Sequence, residues 1–281
     1  MRALYDVPAP AKLNLFLHVL GRRSDGYHRL QSAFMLIDWC DTLHFEKRAN
    51  AQISREDLGP PLPADDLITR AARLLQQETG CTEGVHVSVS KRIPAQAGLG
   101  GGSSDAASCL LALNRLWNLG LQRQALARLG LLLGADVPFF IGGRNAWVEG
   151  IGESLTPLDL PPARFLVVKP ETGLETAKIF GAPGLKRDTK PATLAVFAAD
   201  PYGFGHNDLQ PVASSLCPDL QTVLDWLSAQ GLHGRMTGSG SAVFAPLQGE
   251  LAHDPVPENW QSRECCNLAV HPLAGWATSD N

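Results

Sequence analysis

The sequence contains no run of 18 consecutive apolar residues and no block of five or more like charges. The first absence excludes a hydrophobic transmembrane helix. The segment MRALYDVPAPAK also has no apolar stretch after its basic residue, so a secretory signal peptide is not predicted. With a formal net charge of −4, the chain lacks the basic surface typical of nucleic-acid-binding proteins. We therefore expect a cytoplasmic protein whose main partners are neither membranes nor nucleic acids.

Cysteine is scarce, and the 6 cysteines of the 281-residue chain include no CxxC pair. This number and spacing match neither a disulfide framework nor a zinc site, so reduced thiols are the simplest interpretation. The composition, 44% hydrophobic and 19% charged, is that of a folded globular protein. The length is sufficient for two domains of ordinary size.

Strand-like and helix-like patterns are mixed along the chain, and we predict an α+β fold. Residues 12–20 (KLNLFLHVL) alternate with period two, so Lys12 and Asn14 project from the same face of a predicted strand. A helix capped by Asp65 or Asp66 is predicted to run to about Glu78, and Gly80 ends it. Prolines 157, 161 and 162 interrupt the patterns. We place a boundary there, giving domains at residues 1–160 and 161–281.

Further elements are predicted from the same rules. The strands are expected at residues 34–39, 42–47, 85–90 and 164–168, with a turn and strand at 236–245. The helices are expected at residues 121–133, 176–180, 207–216 and 220–229, with another capped by Ser103 or Ser104. From Pro246 onward the signal is poor: QGELAHDPVPENWQSRECC (residues 248–266) carries two prolines and little periodicity, and its packing is left open.

Four glycines fall within five positions of PAQAGLGGGSSDAA (residues 94–107), between a predicted strand and a predicted helix. A Walker A loop would need a lysine after the glycines, and a dinucleotide-binding loop an acidic residue about 20 positions later; both are missing. The H-R-D and D-F-G motifs of protein kinases are also missing. Backbone N–H groups at a helix start form an anion site, so the segment is interpreted as a phosphate-binding loop. The alternative is a tight turn packed against a neighbouring element.

Three motifs together resemble the GHMP kinases, a family that includes galactokinase, homoserine kinase, mevalonate kinase and phosphomevalonate kinase. The glycine loop resembles the family's ATP loop. PAPAKLNLFL and GRRSDGYHRL (residues 8–17 and 21–30) resemble its N-terminal motif, and TGSGSAVFA (residues 237–245) resembles its C-terminal glycine motif. The resemblance implies an N-terminal domain like ribosomal protein S5 domain 2, a smaller ferredoxin-like C-terminal domain, and an active site between them.

The resemblance also implies catalytic and ATP-binding residues. Lys12 and Asp136 match the family's catalytic lysine and aspartate, in PAPAKLN and LGADVPFF. Taken alone, Asp136 is also explained as a helix cap or turn residue, and Lys12 as a solvated residue at a strand edge. Because Pro138 disfavours helical geometry at the residue before it, we expect Asp136 to end a loop that enters a strand. Two alternatives for the main catalytic contribution stay open at this point: removal of the hydroxyl proton by Asp136, or stabilisation of the transition-state charge by Lys12.

The implied ATP loop comprises Pro94, Ala95, Gln96, Ala97, Gly98, Leu99, Gly100, Gly101, Gly102, Ser103 and Ser104. For the Mg²⁺ that accompanies ATP, Ser103 is ranked first among Ser103, Ser104 and Asp105. Asp105 is equally explained as a first-turn residue that the helix dipole favours.

The N-terminal motif and LGADVPFF resemble one branch of the family, which acts on a cytidine diphosphate-linked methylerythritol in isoprenoid biosynthesis. This implies ATP-dependent phosphorylation of the acceptor's 2-hydroxyl group. Tyr27 and Phe180 would then stack on the cytosine, and His28 would recognise its polar edge with Asn14 nearby. For Phe180 the alternative is a core aromatic on an amphipathic helix. The rival functions are another GHMP kinase, such as a homoserine kinase, and a non-catalytic nucleotide- or RNA-binding module on the same fold.

Overall fold

The computed structural model describes residues 1–249 and 254–278, and within them ten strands and eight helices. In chain order these elements are β1 (Ala3–Arg22), β2 (His28–Arg48), β3 (Ile53–Asp57), α1 (Leu67–Thr79), β4 (Gly84–Ser90), α2 (Gly101–Leu116), α3 (Arg123–Leu133), α4 (Val137–Gly142), β5 (Ala146–Gly150), β6 (Ser154–Pro157), β7 (Arg164–Lys169), α5 (Thr176–Gly181), α6 (Leu194–Ala199), α7 (Gln210–Leu216), α8 (Pro218–Ala229), β8 (Arg235–Met236), β9 (Val243–Leu247) and β10 (Gln261–Leu268). The predicted α+β class is confirmed. Within the described residues, no helix has the length and hydropathy needed to cross a bilayer.

The strands form a single 10-stranded sheet. Its main path runs β3-β4-β2-β10-β7-β9-β8, while β1 and β5 also pair with β2, and β6 pairs with β5. The β3–β4 pair is parallel. Strand β10 joins the two halves of the chain, since it pairs with β2 through Asn267 and Leu268 and with β7 from Gln261 to Cys266. The predicted domain boundary falls between β6 and β7 and stays a prediction.

Several elements follow directly from local sequence. Asp66 caps α1, because its Oδ1 accepts hydrogen bonds from the N–H groups of Ile68 (2.7 Å) and Thr69 (3.1 Å). Gly80, with φ at 66°, ends the same helix in the left-handed conformation that glycine adopts easily. The two strands predicted at residues 34–39 and 42–47 are parts of one long strand, β2.

Two local predictions were wrong, and one segment left open by the sequence contains a strand. Asp136 is followed by the helix α4 and not by a strand, because Pro138 lies in the first helical turn, where a missing N–H costs no hydrogen bond. Neither serine caps α2: its N-cap is Gly100, with φ at 72° and no side-chain hydrogen bond. The segment after Pro246, to which the sequence assigned no element, contains the strand β10, and residues 250–253 of that segment lie outside the described residues.

The core lies on both faces of the sheet and fixes the position of the site. On one face, α1, α2 and α4 pack against the sheet around the buried side chains of Phe45, Leu75, Leu110 and Phe139. On the other face, the rings of Phe16, Phe165 and Phe244 are buried where β1, β7 and β9 approach one another. Because β1 contributes to both clusters, the residues of its middle section are held firmly in place.

Candidate active site

A cleft of about 860 Å³ opens between β1, the glycine loop, the start of α5 and the turn at residues 238–240. Among the predicted site residues, the cleft is lined by Lys12, Asn14, Asp136, Phe180 and residues 94–103. Ser104, Tyr27 and His28 are outside this lining. The structure therefore brings the predicted catalytic pair, the glycine loop and one predicted base-binding residue into a single cavity.

Lys12 lies on β1 with only 3% of its surface exposed, which rules out the solvated-edge interpretation. Its Nζ is 3.6 Å from Oδ2 of Asp136, and it lies 4.9 Å from the ring centre of Phe34. Burial lowers the pKa of the Lys12 ammonium group, while the neighbouring carboxylate of Asp136 opposes this effect. The backbone N–H of Lys12 donates to the carbonyl of Leu99 (2.9 Å), so the lysine and the glycine loop are directly connected.

Asn14 holds Lys12 from the same face of β1, as the alternation of the strand predicted. Its Oδ1 accepts a hydrogen bond from Lys12 Nζ, and its Nδ2 donates to Ser32 Oγ (2.9 Å). Its backbone N–H donates to Thr237 Oγ1 (2.8 Å), in the C-terminal glycine motif. Since both ends of the Asn14 amide have partners in the protein, the observed contacts make it a residue that positions Lys12. Its role toward a substrate stays a prediction.

The glycine loop owes much of its composition to packing within the protein. A Cβ at Gly98 would lie 2.2 Å from the Thr237 carbonyl oxygen, one at Gly100 3.0 Å from the Phe140 ring, and one at Gly101 3.0 Å from Ile93. At Gly102, by contrast, the nearest atom would be a Leu67 methyl group at 3.6 Å. The tight-turn interpretation thus accounts for three of the four glycines, and only at Gly102 would an added Cβ make no contact closer than ordinary van der Waals distance.

The start of α2 nevertheless has the properties of an anion site. The first N–H groups of a helix have no partner within the helix, and here the N-cap residue supplies no side-chain oxygen to them. Gly101, Gly102 and Ser103 line the cleft at this point. Ser104 faces the other way: it is fully buried, and its Oγ has no hydrogen-bond partner among the described residues.

A buried group of charges beside the loop was missed by the sequence analysis. Lys91 Nζ contacts one carboxylate oxygen of Asp41 and one of Asp105. The other Asp41 oxygen accepts the Ile93 N–H at 2.8 Å, immediately before the loop begins. Burial raises the pKa of Asp105 to about 7, although Lys91 acts in the opposite direction. These contacts anchor both ends of the glycine loop to β2.

At the other end of the cleft, the structure brings His28 and Phe180 together. Their ring centres are 5.2 Å apart, with an angle of 32° between the ring planes. Arg187, which the sequence analysis also missed, donates from Nε to His28 Nε2 at 2.9 Å. Tyr27 belongs to the preceding turn, where its N–H donates to Asp25 Oδ1, and 61% of the residue is exposed. Its ring is therefore at the surface and does not line the cavity.

Comparisons with known proteins agree with this arrangement. The model for the GHMP kinases N terminal domain matches residues 66–144, and the model for the GHMP kinases C terminal domain matches residues 195–263. This chain belongs to the GHMP kinase family, and the expected fold is confirmed.

Individual relatives show a more specific similarity than the family models do. The chain is 64% identical to the 4-diphosphocytidyl-2-C-methyl-D-erythritol kinase of Delftia acidovorans, over 100% of both chains. It is also 64% identical to the protein of that name from Acidovorax sp. (strain JS42), over 98% of this chain and 99% of the relative.

Solved structures show the same relationship. A crystal structure of 4-(cytidine 5'-diphospho)-2C-methyl-D-erythritol kinase matches with a TM-score of 0.77 and 34% identity, covering 92% of this chain and 98% of the other. The homoserine kinase from Cytophaga hutchinsonii has a TM-score of 0.69 over 96% of each chain, at 16% identity. At that identity the second similarity concerns the fold alone.

Proposed function

We propose that this protein transfers the γ-phosphoryl group of ATP to the 2-hydroxyl group of 4-diphosphocytidyl-2-C-methyl-D-erythritol, a step of isoprenoid biosynthesis through methylerythritol phosphate. The observation that carries the proposal is the Lys12–Asp136 pair, which lies in one cleft with the start of α2 and with Phe180. The acceptor follows from the two relatives of that name at 64% identity. A homoserine kinase shares only the fold, and a cytoplasmic location remains a prediction.

The phosphate groups of ATP fit the start of α2. Unpartnered N–H groups and the positive end of the helix dipole both favour negative charge there. Among the four loop glycines, Gly102 is the position where no protein atom would lie closer than 3.6 Å to an added Cβ. The other loop residues bring these N–H groups to the cleft by packing against Thr237, Phe140 and Ile93.

Mg²⁺ fits the same site as part of its complex with ATP. The described residues contain no group of three or more metal-binding side chains. Such a group is not required, because Mg²⁺ usually keeps several waters and takes one or two protein ligands beside the substrate phosphates. The hydroxyl of Ser103 lines the cleft and would serve as a protein ligand. When bound, the metal neutralises phosphate charge.

Asp136 and Lys12 have different roles in the proposed phosphoryl transfer. The Asp136 carboxylate takes the proton of the acceptor hydroxyl while the oxygen of that hydroxyl bonds to the γ-phosphorus. The bond between the γ-phosphorus and the bridging oxygen breaks, and ADP leaves with its electrons. The Lys12 ammonium group, 3.6 Å from that carboxylate, stabilises the negative charge that develops. Asn14 and Phe34 hold the ammonium group in this position.

The cytosine of the acceptor would bind between Phe180 and Tyr27, with His28 at its polar edge. Phe180 lines the cleft and has His28 beside it. The exposed Tyr27 ring is available to cover the opposite face of the base. Base–aromatic stacking contributes roughly 1–3 kcal/mol per base, enough to position a large acceptor.

A panel of acceptor alcohols tests the proposal. ATP consumption should be fastest with the cytidine diphosphate compound and very slow with methylerythritol phosphate lacking the cytidine, because the base contacts that position the acceptor would be missing. Faster phosphorylation of homoserine, mevalonate or galactose would overturn the assignment of the acceptor. No ATP consumption with any acceptor would favour a non-catalytic binding module.

A further inference from the structure

The side chain of Arg187 joins the two groups proposed to contact the base. Its Nε donates to His28 Nε2 at 2.9 Å. One terminal nitrogen donates to the carbonyl of Leu185 (3.0 Å), and the other to those of Phe180 (3.1 Å) and Ala182 (2.9 Å). Arg187 therefore holds the end of α5, which carries Phe180, at a fixed distance from His28.

The contact with His28 determines where the imidazole carries its proton. A guanidinium group stays charged and has N–H donors but no acceptor. His28 Nε2 must then be the unprotonated, accepting nitrogen, and a neutral imidazole in this position carries its proton on Nδ1. The neutral form is favoured because burial and the charges of Arg187 and Arg22 all lower the pKa of His28. Among the described residues, no hydrogen bond to Nδ1 is present, so this N–H remains available to a ligand.

We propose that Arg187 is a specificity-determining positioning residue: by fixing His28 in the Nδ1–H form, it makes the site select an acceptor base whose ring nitrogen N3 accepts a hydrogen bond. Cytosine has an unprotonated N3, whereas the N3 of uracil carries a hydrogen and would meet the Nδ1–H donor to donor. The inference rests on the proposed function, since it assigns the basis of selection within the same acceptor site. It adds a residue whose hydrogen bonds, to His28, Phe180, Ala182 and Leu185, involve neither the glycine loop nor the catalytic pair.

The proton position can be measured without substrate. Nitrogen-15 NMR of the histidine rings in the free protein should show His28 as the Nδ1–H tautomer in the wild type. Arg187→Met should lose this tautomer, whereas Arg187→Lys should keep it, because a lysine also donates to Nε2. Arg22→Met is the matched control, since it removes the other nearby positive charge without removing a hydrogen bond to the ring. A wild-type Nε2–H tautomer, or an unchanged tautomer in Arg187→Met, would overturn the proposal.

Base selection is measured as the ratio of kcat/KM for the cytidine-linked acceptor to that for its uridine-linked counterpart. Arg187→Met should lower this ratio roughly 10- to 100-fold, the effect expected when a hydrogen-bonding group in a buried site loses its match. Arg187→Lys and Arg22→Met should retain most of the ratio, and thermal melting identifies any variant that does not fold.

A uniform loss with both acceptors in folded Arg187→Met would overturn the selection role and leave only a structural one. A wild type that phosphorylates neither acceptor would overturn the proposed function and the base selection together. In that case the tautomer measurement still decides whether Arg187 controls His28.

Discussion

The two ends of the cleft are built in different ways. At the transfer end, the part of the cleft around Lys12 and the glycine loop, Lys12 is 3% exposed and belongs to the 20-residue strand β1, and a backbone hydrogen bond connects it to the glycine loop. At the base end, Phe180 lies on a helix of 6 residues, Tyr27 is 61% exposed in a turn, and Arg187 links His28 to that helix. One end is part of the core, whereas the other is carried by short segments near the surface.

This difference suggests how one fold can serve several kinases. Structures named homoserine kinase and mevalonate kinase share the fold at 16% and 14% identity, which requires the strands of the sheet to be preserved. Short surface segments tolerate change more easily, because few buried contacts depend on them. We therefore expect substitutions at the transfer end to reduce turnover, and substitutions at the base end to change the choice of acceptor.

The largest effect is expected from the catalytic pair. Asp136→Asn and Lys12→Met should each lower kcat by roughly 10²–10⁴-fold, because each removes a group that handles the proton or the developing charge. Affinity for an ATP analogue, measured by calorimetry, should change little, since the glycine loop is intact. Near-normal turnover of Asp136→Asn would remove this carboxylate from the mechanism.

At the base end, Tyr27→Ala should raise KM for the cytidine-linked acceptor and leave KM for ATP nearly unchanged. Losing one stacked ring costs about 1–3 kcal/mol, or roughly 5- to 150-fold in KM. Tyr5→Ala is the matched control, because Tyr5 is also 61% exposed but lies at the far end of β1. Equal effects of the two substitutions on acceptor KM would contradict a role for Tyr27 in binding the base.

Two substitutions in the glycine loop distinguish its role in packing from its proposed role in ATP binding. Gly102→Val should leave the fold intact and weaken ATP binding about tenfold or more, because its Cβ fits beside Leu67 without a close contact while the side chain lies next to the first N–H groups of α2. Gly101→Val, in contrast, should lower the melting temperature, since even its Cβ would lie 3.0 Å from Ile93. ATP titration and thermal melting distinguish the two outcomes. Unchanged ATP affinity in folded Gly102→Val would place the phosphates elsewhere.

The smallest effect is expected at the two adjacent serines. Ser103→Ala should raise the Mg²⁺ concentration needed for half-maximal activity by roughly 2- to 10-fold, the usual range for one neutral polar contact. Ser104→Ala should have no such effect, because its hydroxyl is buried away from the cleft and has no hydrogen-bond partner among the described residues. An equal Mg²⁺ requirement in both variants would exclude Ser103 as a ligand.

Local signals in the sequence were sufficient to predict most of the residues at the transfer end of the cleft. The alternation of β1 placed Lys12 and Asn14 on one face, and they are in contact. The helix cap at Asp66 and the glycine loop were also recognisable, because the residues that define each are close together in the chain. Asp136 was identified by resemblance, although its local structure was predicted wrongly, since a proline after the N-cap suits a helix start as well as a strand.

Contacts between distant segments could not be predicted in this way. Lys91 and Asp41 are 50 residues apart, and Arg187 and His28 are 159 residues apart. A single lysine or arginine in a loop gives no periodic signal, and its partner is decided by the tertiary fold. Strand β10 was missed for a similar reason: its sequence, QSRECCNL, has little alternation, and it is stabilised by pairing with β2 and β7.

The place of β10 between β2 and β7 has a consequence for the synthesis of the protein. A ribosome makes β2 and β7 before the strand that separates them, so a nascent chain already contains every proposed catalytic and ATP-binding residue while its sheet still lacks β10. Until Gln261–Leu268 emerges, β7 presents unpaired N–H and C=O groups along the edge that β10 later covers, and such edges readily pair with other chains. The period of greatest risk for aggregation therefore comes late in translation, after the proposed site residues have been synthesised and before the sheet is complete.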